Sequence, residues 1–322
     1  MNFEGYLNEA VEKLEALDPE TFFQMSLEAQ DEFVTKYVQH TALDARNWFP
    51  FIRIDGTLEN TSRVHFGNGG TENLSIVKRA VYQDGYRPLV SDNALAGMFR
   101  IPLYTMSRRM WSDDEEVREC GYFTEKGSRF QCLKCLACGL GGGLQPDTSV
   151  NAVHKVRAVT GASEDAEIIT EYQSSIEPRL GTTPKKELLG ITDQRVRLSA
   201  LWQTEYVAPG AHFNVSMTFR DVAAVEFGLA LMAFDTSWVN IGLGAHKNGR
   251  FKGWNERPEA FTLYAWMDNW LAEPETYSTP KNIINSAKKA AYLAQEKTLL
   301  RKYVFDRSKL KAVHTAEQRV AT

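Results

Sequence analysis

The stretch FIRIDGTLEN (residues 51–60) is where the period of the chain changes. Within it, Ile52 and Ile54 alternate with polar neighbours, and Thr57 and Leu58 follow a glycine. This is the pattern of a half-buried strand. Upstream the period is helical. Tyr6, Ala10, Leu14 and Leu17 recur at three- and four-residue steps. Pro19 ends that helix and suits the first turn of a second, which carries Phe22, Phe23, Met25, Leu27, Phe33, Val34 and Tyr37. Residues 1–47 therefore read as a helical N-terminal extension.

Downstream, residues 62–90 give a glycine-rich loop, a second strand and a turn. SDNALAGMFR (91–100) reads as a helix start capped by Ser91, Asp92 or Asn93, with Pro102 expected to bend or end the helix. A polar region, 145–194, holds two short strand patterns, NAVHKVRAV and DAEIITEY. Strand signals return over 196–220. An apolar helix follows over 223–234, then a strand, glycine loop and strand over 238–254. Residues 279–303 are a helix with Ser278 or Thr279 as cap and Pro280 near its first position. The order is strand, strand, helix, long insertion, strand, helix, strand. This is the β-α-β-β-α-β plan of a ferredoxin-like α+β domain, shared by RNA-recognition modules whose sheet face carries the ligand.

At 43% hydrophobic and 24% charged residues, the composition excludes general disorder. No apolar run is long enough to span a bilayer, and the acidic N-terminus lacks the basic start and apolar centre of a signal peptide. A cytoplasmic protein is expected. Charge is unevenly spread: residues 1–47 hold ten acids and three bases, residues 281–311 nine bases and two acids. Opposite ends of this kind attract, within one subunit or between neighbours in a head-to-tail array.

FQCLKCLACGLGGG (130–143) contains three of the four cysteines. With Cys120 they form C-x11-C-x2-C-x2-C: Cys120, Cys132, Cys135 and Cys138. A two-residue gap lets two thiolates reach one metal from a tight turn, so the set reads as a structural Zn²⁺ site. The bland alternatives are free buried thiols or a redox pair. Four sulfurs close the coordination sphere, so no catalysis is assigned to it. GLGGGL is a poor dinucleotide loop, since no clear strand precedes it. P-loop, H-E-x-x-H and G-x-S-x-G motifs are missing, and the six histidines are scattered.

Basic residues flank the two glycine loops: Arg63, His65, Lys78 and Arg79 around GNGG, and His246, Lys247, Arg250 and Lys252 in GAHKNGRFKG. Glycine lets backbone approach a phosphate that Lys, Arg and free N–H groups neutralise. One such stretch is usually a solvated turn. Two on one sheet module point to RNA.

The chain resembles the RAMP superfamily, in particular the Cas-seven family of guide-RNA-binding backbone subunits in class 1 CRISPR complexes. GTLENTSRVHFGNGG is similar to the family's first strand and glycine loop. RPLVSDNALAGMFR is similar to its proline-led strand and helix start. EYVAPGAHFNVSMTF with IGLGAHKNGRFKGW is similar to its later strand and terminal glycine loop. The resemblance covers about Asp55 to Trp254. It implies a palm over 48–111 and 205–257, a cysteine-rich finger over 112–145, a thumb insertion over 146–204 and a helical basic C-terminal region over 258–322. It implies partners too: guide RNA, copies of the chain side by side along that RNA, target nucleic acid by base pairing, and other effector subunits. Carried over by position, the guide contacts are His65, Gly67, Gly69, Asn93, Arg100, Gly244, Lys247 and Arg250. Candidate thumb wedges are Met217, Ile168 and Leu189.

Two departures bear on activity. Type III relatives carry a cleaving aspartate where Asn73 stands, and an amide cannot act as base or charged metal ligand. Ala96 occupies the place of the family's lysine. A non-catalytic subunit is expected. Metal-dependent cleavage through Glu72 or Asp84, or a zinc-stabilised binding protein outside CRISPR systems, are the alternatives.

Overall fold

In a computed structural model, the structure describes residues 2–41, 49–67, 74–82, 85–90, 92–122, 130–145, 150–152, 154–175, 200–243 and 249–304. The fold is α+β. Its elements are α1 (Phe3–Ala16), α2 (Pro19–Gln24), α3 (Leu27–Phe33), β1 (Phe51–Asn60), β2 (Leu74–Ser75), β3 (Arg79–Tyr82), β4 (Gly85–Pro88), α4 (Asp92–Met110), α5 (Glu115–Glu119) and α6 (Leu136–Gly141). There follow β5 (Gly143–Gln145), β6 (Val150–Ala152), β7 (Val156–Thr160), β8 (Ile168–Ser175), β9 (Ala200–Val207), β10 (His212–Arg220), α7 (Ala224–Asp235), β11 (Phe251–Lys252), β12 (Phe261–Trp266), β13 (Glu275–Tyr277) and α8 (Lys281–Glu296).

The main sheet is antiparallel with strand order β13-β12-β1-β10-β7, and β11 pairs with the end of β1. Alternation decides its faces. Ile52, Ile54 and Leu58 of β1, Phe213, Val215, Met217 and Phe219 of β10, and Phe261, Leu263 and Ala265 of β12 are all buried. That face meets the helices. Phe219 packs against Phe227 and Phe234 of α7 at 4.9 and 6.4 Å, and Phe234 stacks on Phe99 of α4 at 4.7 Å. Met217 is fully buried here, so it is a core residue and not a thumb wedge.

Four elements differ from the sequence reading. Thr236–Ile241, where the first strand of the second strand–glycine loop–strand element was expected to begin, is helical and continues directly from α7. Val156–Thr160, assigned above to the thumb insertion, pairs with β10 as an edge strand of the main sheet. Asp92 at the start of α4 accepts from the Thr160 N–H at 3.0 Å, and Arg220 N–H donates to the Lys155 carbonyl at 2.9 Å. Phe261–Trp266, in the region expected to be helical, is the sheet's other inner neighbour of β1. The segment between the glycine loop and α4 forms short strands outside the main sheet: β3 and β4 make a hairpin, and β2 runs parallel to β9.

Pro102 lies inside α4 without ending it. Proline has no N–H for the Met98 carbonyl one turn back. The Ser237 hydroxyl lies 2.8 Å from that carbonyl and 2.7 Å from the Ala233 carbonyl, so its one proton is within reach of the acceptor that Pro102 leaves open.

The N-terminal helices pack on the C-terminal one. Lys289 pairs with Glu15 at 2.6 Å, Arg301 pairs with Asp31, and Lys297 donates to the Glu15 carbonyl at 3.1 Å. The opposite charges of the two ends thus meet within one subunit. Both ends reach a buried polar hub at the N-terminus of α7. Glu226 is fully buried there, bonded to Lys155 at 2.9 Å, the Tyr303 hydroxyl at 2.6 Å, and the N–H groups of Ala223 and His40 at 3.0 and 3.2 Å. A buried carboxylate persists only when its acceptor sites are filled, and here four donors fill them.

Candidate metal centre and cationic cleft

Cys120 follows α5, Cys132 and Cys135 bracket a tight turn, and Cys138 sits one turn into α6. Leu133 takes a left-handed backbone (φ 58°) to make that turn. The turn wraps Cys132: the N–H groups of Lys134 and Cys135 lie 3.4 and 3.3 Å from its sulfur. All four cysteines are buried, and their sulfurs lie within 4.8 Å of one another. Cys120 is 3.5 Å from Cys138 and 3.7 Å from Cys135. A tetrahedron with metal–sulfur bonds of about 2.3 Å has edges of about 3.8 Å. The four cysteines are therefore close enough to hold one metal ion, a geometry compatible with zinc. Hydrogen bonds from the thiols of Cys120, Cys135 and Cys138 hold Cys132 far below the ordinary thiol range. The same network pushes Cys135 and Cys138 up.

The centre is anchored to α4. Ser107 accepts from the Leu136 N–H at 3.0 Å, and Arg108 donates to the Cys120 carbonyl at 2.6 Å. The glycines after the cysteines have a role that their spacing did not reveal. A Cβ on Gly139 would lie 2.0 Å from the Tyr303 ring, and one on Gly143 would lie 2.6 Å from Leu133. They let the chain pack tightly against its neighbours as well as turn.

Beyond the end of α6 lies a cleft of about 510 Å³, lined by Arg100, His154, Arg157, Arg220, Lys155 and Asp92 among others. Arg100 comes from α4, Arg157 from β7 and Arg220 from the end of β10. Arg100 donates to the Gly142 carbonyl at 3.0 Å, and Arg220 to the His154 carbonyl at 2.6 Å, so both are oriented. Burial, then Arg100, Arg220 and Arg157, push the His154 imidazole below its usual value. Burial and Arg157 lower Arg220 as well. Lys155 is neutralised by Glu226. Among the described residues, three guanidiniums line the cleft with one carboxylate, Asp92, which accepts from the Thr160 N–H, while Asp221 offsets part of the charge on Arg220. Such a cleft favours an anion. Sequence reading found Arg100 but missed His154, Arg157 and Arg220. His154 lies just before β7, Arg157 on it and Arg220 at the end of β10, and only the β7–β10 pairing brings Arg220 beside the other two.

The structure joins the two glycine loops at their bases. Val64 bridges Val207, and Leu243 bridges Gly249. A Cβ on Gly249 would lie 2.4 Å from Val64, and the Arg250 carbonyl accepts from Thr61 at 2.7 Å. Around the first loop, Arg63 pairs with Glu171 and lies over the Tyr206 ring, and Arg79 pairs with Glu205 at 2.7 Å. Lys78 is half-buried and donates its N–H to the Phe66 carbonyl. His65 is 2% exposed, its Nδ1 2.7 Å from the Glu205 carbonyl and its Nε2 in the space a Gly67 Cβ would need. Its ring is therefore a packing element of the loop base rather than a surface contact. Around the second loop, Arg250 donates to the Ile241 carbonyl at 3.1 Å and Lys252 pairs with Glu59 at 2.7 Å. Gly69, Glu72, Asn73, Asp84, Leu189, Gly244, His246 and Lys247 lie outside the described residues, as does the Asn93 side chain.

No protein-family model matches this chain, and no curated protein matches it either. Among the described residues, no helix is long and apolar enough to cross a membrane.

Proposed function

We propose that the chain is a non-catalytic, guide-RNA-binding backbone subunit of a class 1 CRISPR complex, built on a ferredoxin-like palm with a zinc-stapled finger. The observation that carries this reading is the cleft where Arg100, Arg157 and Arg220 converge. It contains the arginine of the helix start that the family resemblance singled out. The sheet supports it as well. Taken in chain order, β1, β7, β10 and β12 stand fourth-first-third-second across the sheet, all antiparallel, as in the ferredoxin-like plan.

In this account the three guanidiniums hold backbone phosphates, which carry no sequence information, and target choice is left to base pairing. The glycine-loop bases lie at the other end of β1, where Arg63, Arg79 and Lys252 are paired with Glu171, Glu205 and Glu59, so phosphate binding in this account falls to the three-arginine cleft. The β8–β9 hairpin is the thumb that separates one guide segment from the next. Zinc on Cys120, Cys132, Cys135 and Cys138 ties the finger to α4 and so fixes Arg100 through Gly142. Its part is structural, since four sulfurs fill its coordination.

The test is purification of the chain together with its neighbouring gene products, followed by sizing and sequencing of the bound nucleic acid. RNA of one length class with repeat-derived ends, lost on Arg157→Glu/Arg220→Glu, is the expected result. An RNA-free monomer, or cleavage of complementary RNA by this subunit alone, contradicts it.

A further inference from the structure

The face of the main sheet opposite the helices is ordered in rows. Register places Trp266, Phe51 and Arg220 side by side on β12, β1 and β10. The next row on the same face is Tyr264, Arg53, Thr218 and Arg157, and the third is Thr262, Asp55, Ser216 and Val159. Residues two apart along a strand share a face, so aromatic rings, guanidiniums and small polar groups form one continuous surface.

The rings at one end are close together. Phe51 lies 5.5 Å from Trp266 and 4.4 Å from Trp270, and Trp270 lies 5.2 Å from Phe49. Trp270 remains 45% exposed. Arg53 lies over the Tyr264 ring at 4.7 Å while pairing with Asp55 at 2.9 Å, which fixes its plane. Beyond this, a second cleft of about 530 Å³ is lined by Asp55, Thr57, Asn214, Ser216, Thr262 and Tyr264. Cross-strand aromatic pairs stabilise sheets by themselves. That role does not account for the alternation of rings with Arg53, Arg157 and Arg220, nor for a polar cleft beside them.

We propose that this open face stacks unpaired bases of single-stranded nucleic acid on Trp270, Trp266, Tyr264 and the Arg53 plane. The inference rests on the reading that the Arg100–Arg157–Arg220 cleft holds the backbone, and it extends that track onto the sheet. Arg157 and Arg220 belong to both surfaces, so phosphates run along the β7–β10 side while bases turn toward β1 and β12. Asp55 enforces this direction. It pairs with Arg53 and accepts from the Ser216 hydroxyl at 2.6 Å, so it cancels the Arg53 charge and leaves phosphate to Arg157 and Arg220. Every base has a flat π face, so the surface takes many sequences, and the polar cleft adds contacts to base edges. Trp, Tyr and Arg also serve protein interfaces, so what favours nucleic acid here is continuity with the Arg100–Arg157–Arg220 cleft, and the oligomeric state is read alongside binding in the test.

The test uses the full chain, stripped of nucleic acid in high salt, and a single-stranded RNA carrying 2-aminopurine. Binding is expected to quench tryptophan emission and change the 2-aminopurine signal. Trp270→Ala and Tyr264→Ala should each weaken binding about tenfold at fixed salt, with the salt dependence unchanged. Trp270→Phe, which keeps a ring, should restore most of the loss. Arg157→Ala should instead flatten the salt dependence. If both aromatic variants bind as the wild type does while Arg157→Ala is impaired, the base-stacking face is wrong and the cleft stands. If neither class changes binding, both fail. If Trp270→Ala alters only the oligomeric state, the face is a protein contact and the proposal is overturned.

Discussion

Replacing Cys138 with serine removes one of four sulfurs while keeping the side chain's size, so the change isolates the metal from packing. Cys138 is fully buried and 3.5 Å from Cys120. Three sulfurs hold a tetrahedral ion far less tightly than four. In small zinc fingers the metal supplies the folding energy itself. Here the site is bolted to α4 through Ser107 and Arg108 and shares the main core, so most of the chain folds without it. The loss is then the linkage term. A metal present at a thousandfold its dissociation constant adds about 4 kcal/mol. At about 2–4 °C per kcal/mol for a large domain, that is a fall in Tm of roughly 8–16 °C. The assay is elemental analysis of protein purified without chelator, with thermal melts before and after chelation. The expected result is one zinc per wild-type chain, a melt lowered by chelator, and a Cys138→Ser variant that melts low and ignores chelator. A wild-type protein carrying no metal, with the same Tm in chelator, would refute the reasoning.

Two further outcomes are expected. Gly228 sits where α7 meets α8, and a Cβ there would lie 2.0 Å from the Ala287 carbonyl oxygen. Gly228→Ala gains about 1 kcal/mol of helix propensity, but displacing backbone costs about 1–3 kcal/mol, so the urea midpoint should fall; a rise would disprove the close helix contact. The second concerns pH. Burial lowers the pKa of His40, but its 2.7 Å bond to Asp221 and the nearby Glu226 outweigh this and raise it above the usual imidazole value. A raised folded-state pKa gives stability that is full below about 6.5 and lost as pH rises through the folded value. Thermal melts should therefore fall as pH rises above about 6.5. His40→Gln should lessen that slope, and an unchanged slope would remove His40 as its cause.

Strand alternation made β1 and β10 legible, because one face of each is buried against helices and the other is not. Their neighbours were less so. NAVHKVRAV has a strand pattern, yet nothing local says that it pairs with β10; the Asp92–Thr160 and Lys155–Arg220 bonds that hold it come from distant parts of the chain. FTLYAW alternates as well, but the basic helix after it dominated the reading of that region. The cysteine set was legible because identical ligands at short spacing have few other uses. The glycines beside it were read as turn-makers, since a ring such as Tyr303 arriving from far along the chain leaves no local trace. Arg157 and Arg220 escaped for the same reason. Each is an ordinary outward position on its strand until the sheet sets them beside Arg100.

The most direct test of the central claim is the salt dependence of single-stranded RNA binding. Three guanidiniums on phosphates, at about 0.7 counterions each, give a slope of log affinity against log salt near −2. For Arg157→Ala/Arg220→Ala the slope should shrink to about −0.7, with weaker binding to every sequence. A wild-type slope retained by the double variant would contradict the account, as would a wild-type protein that does not bind RNA.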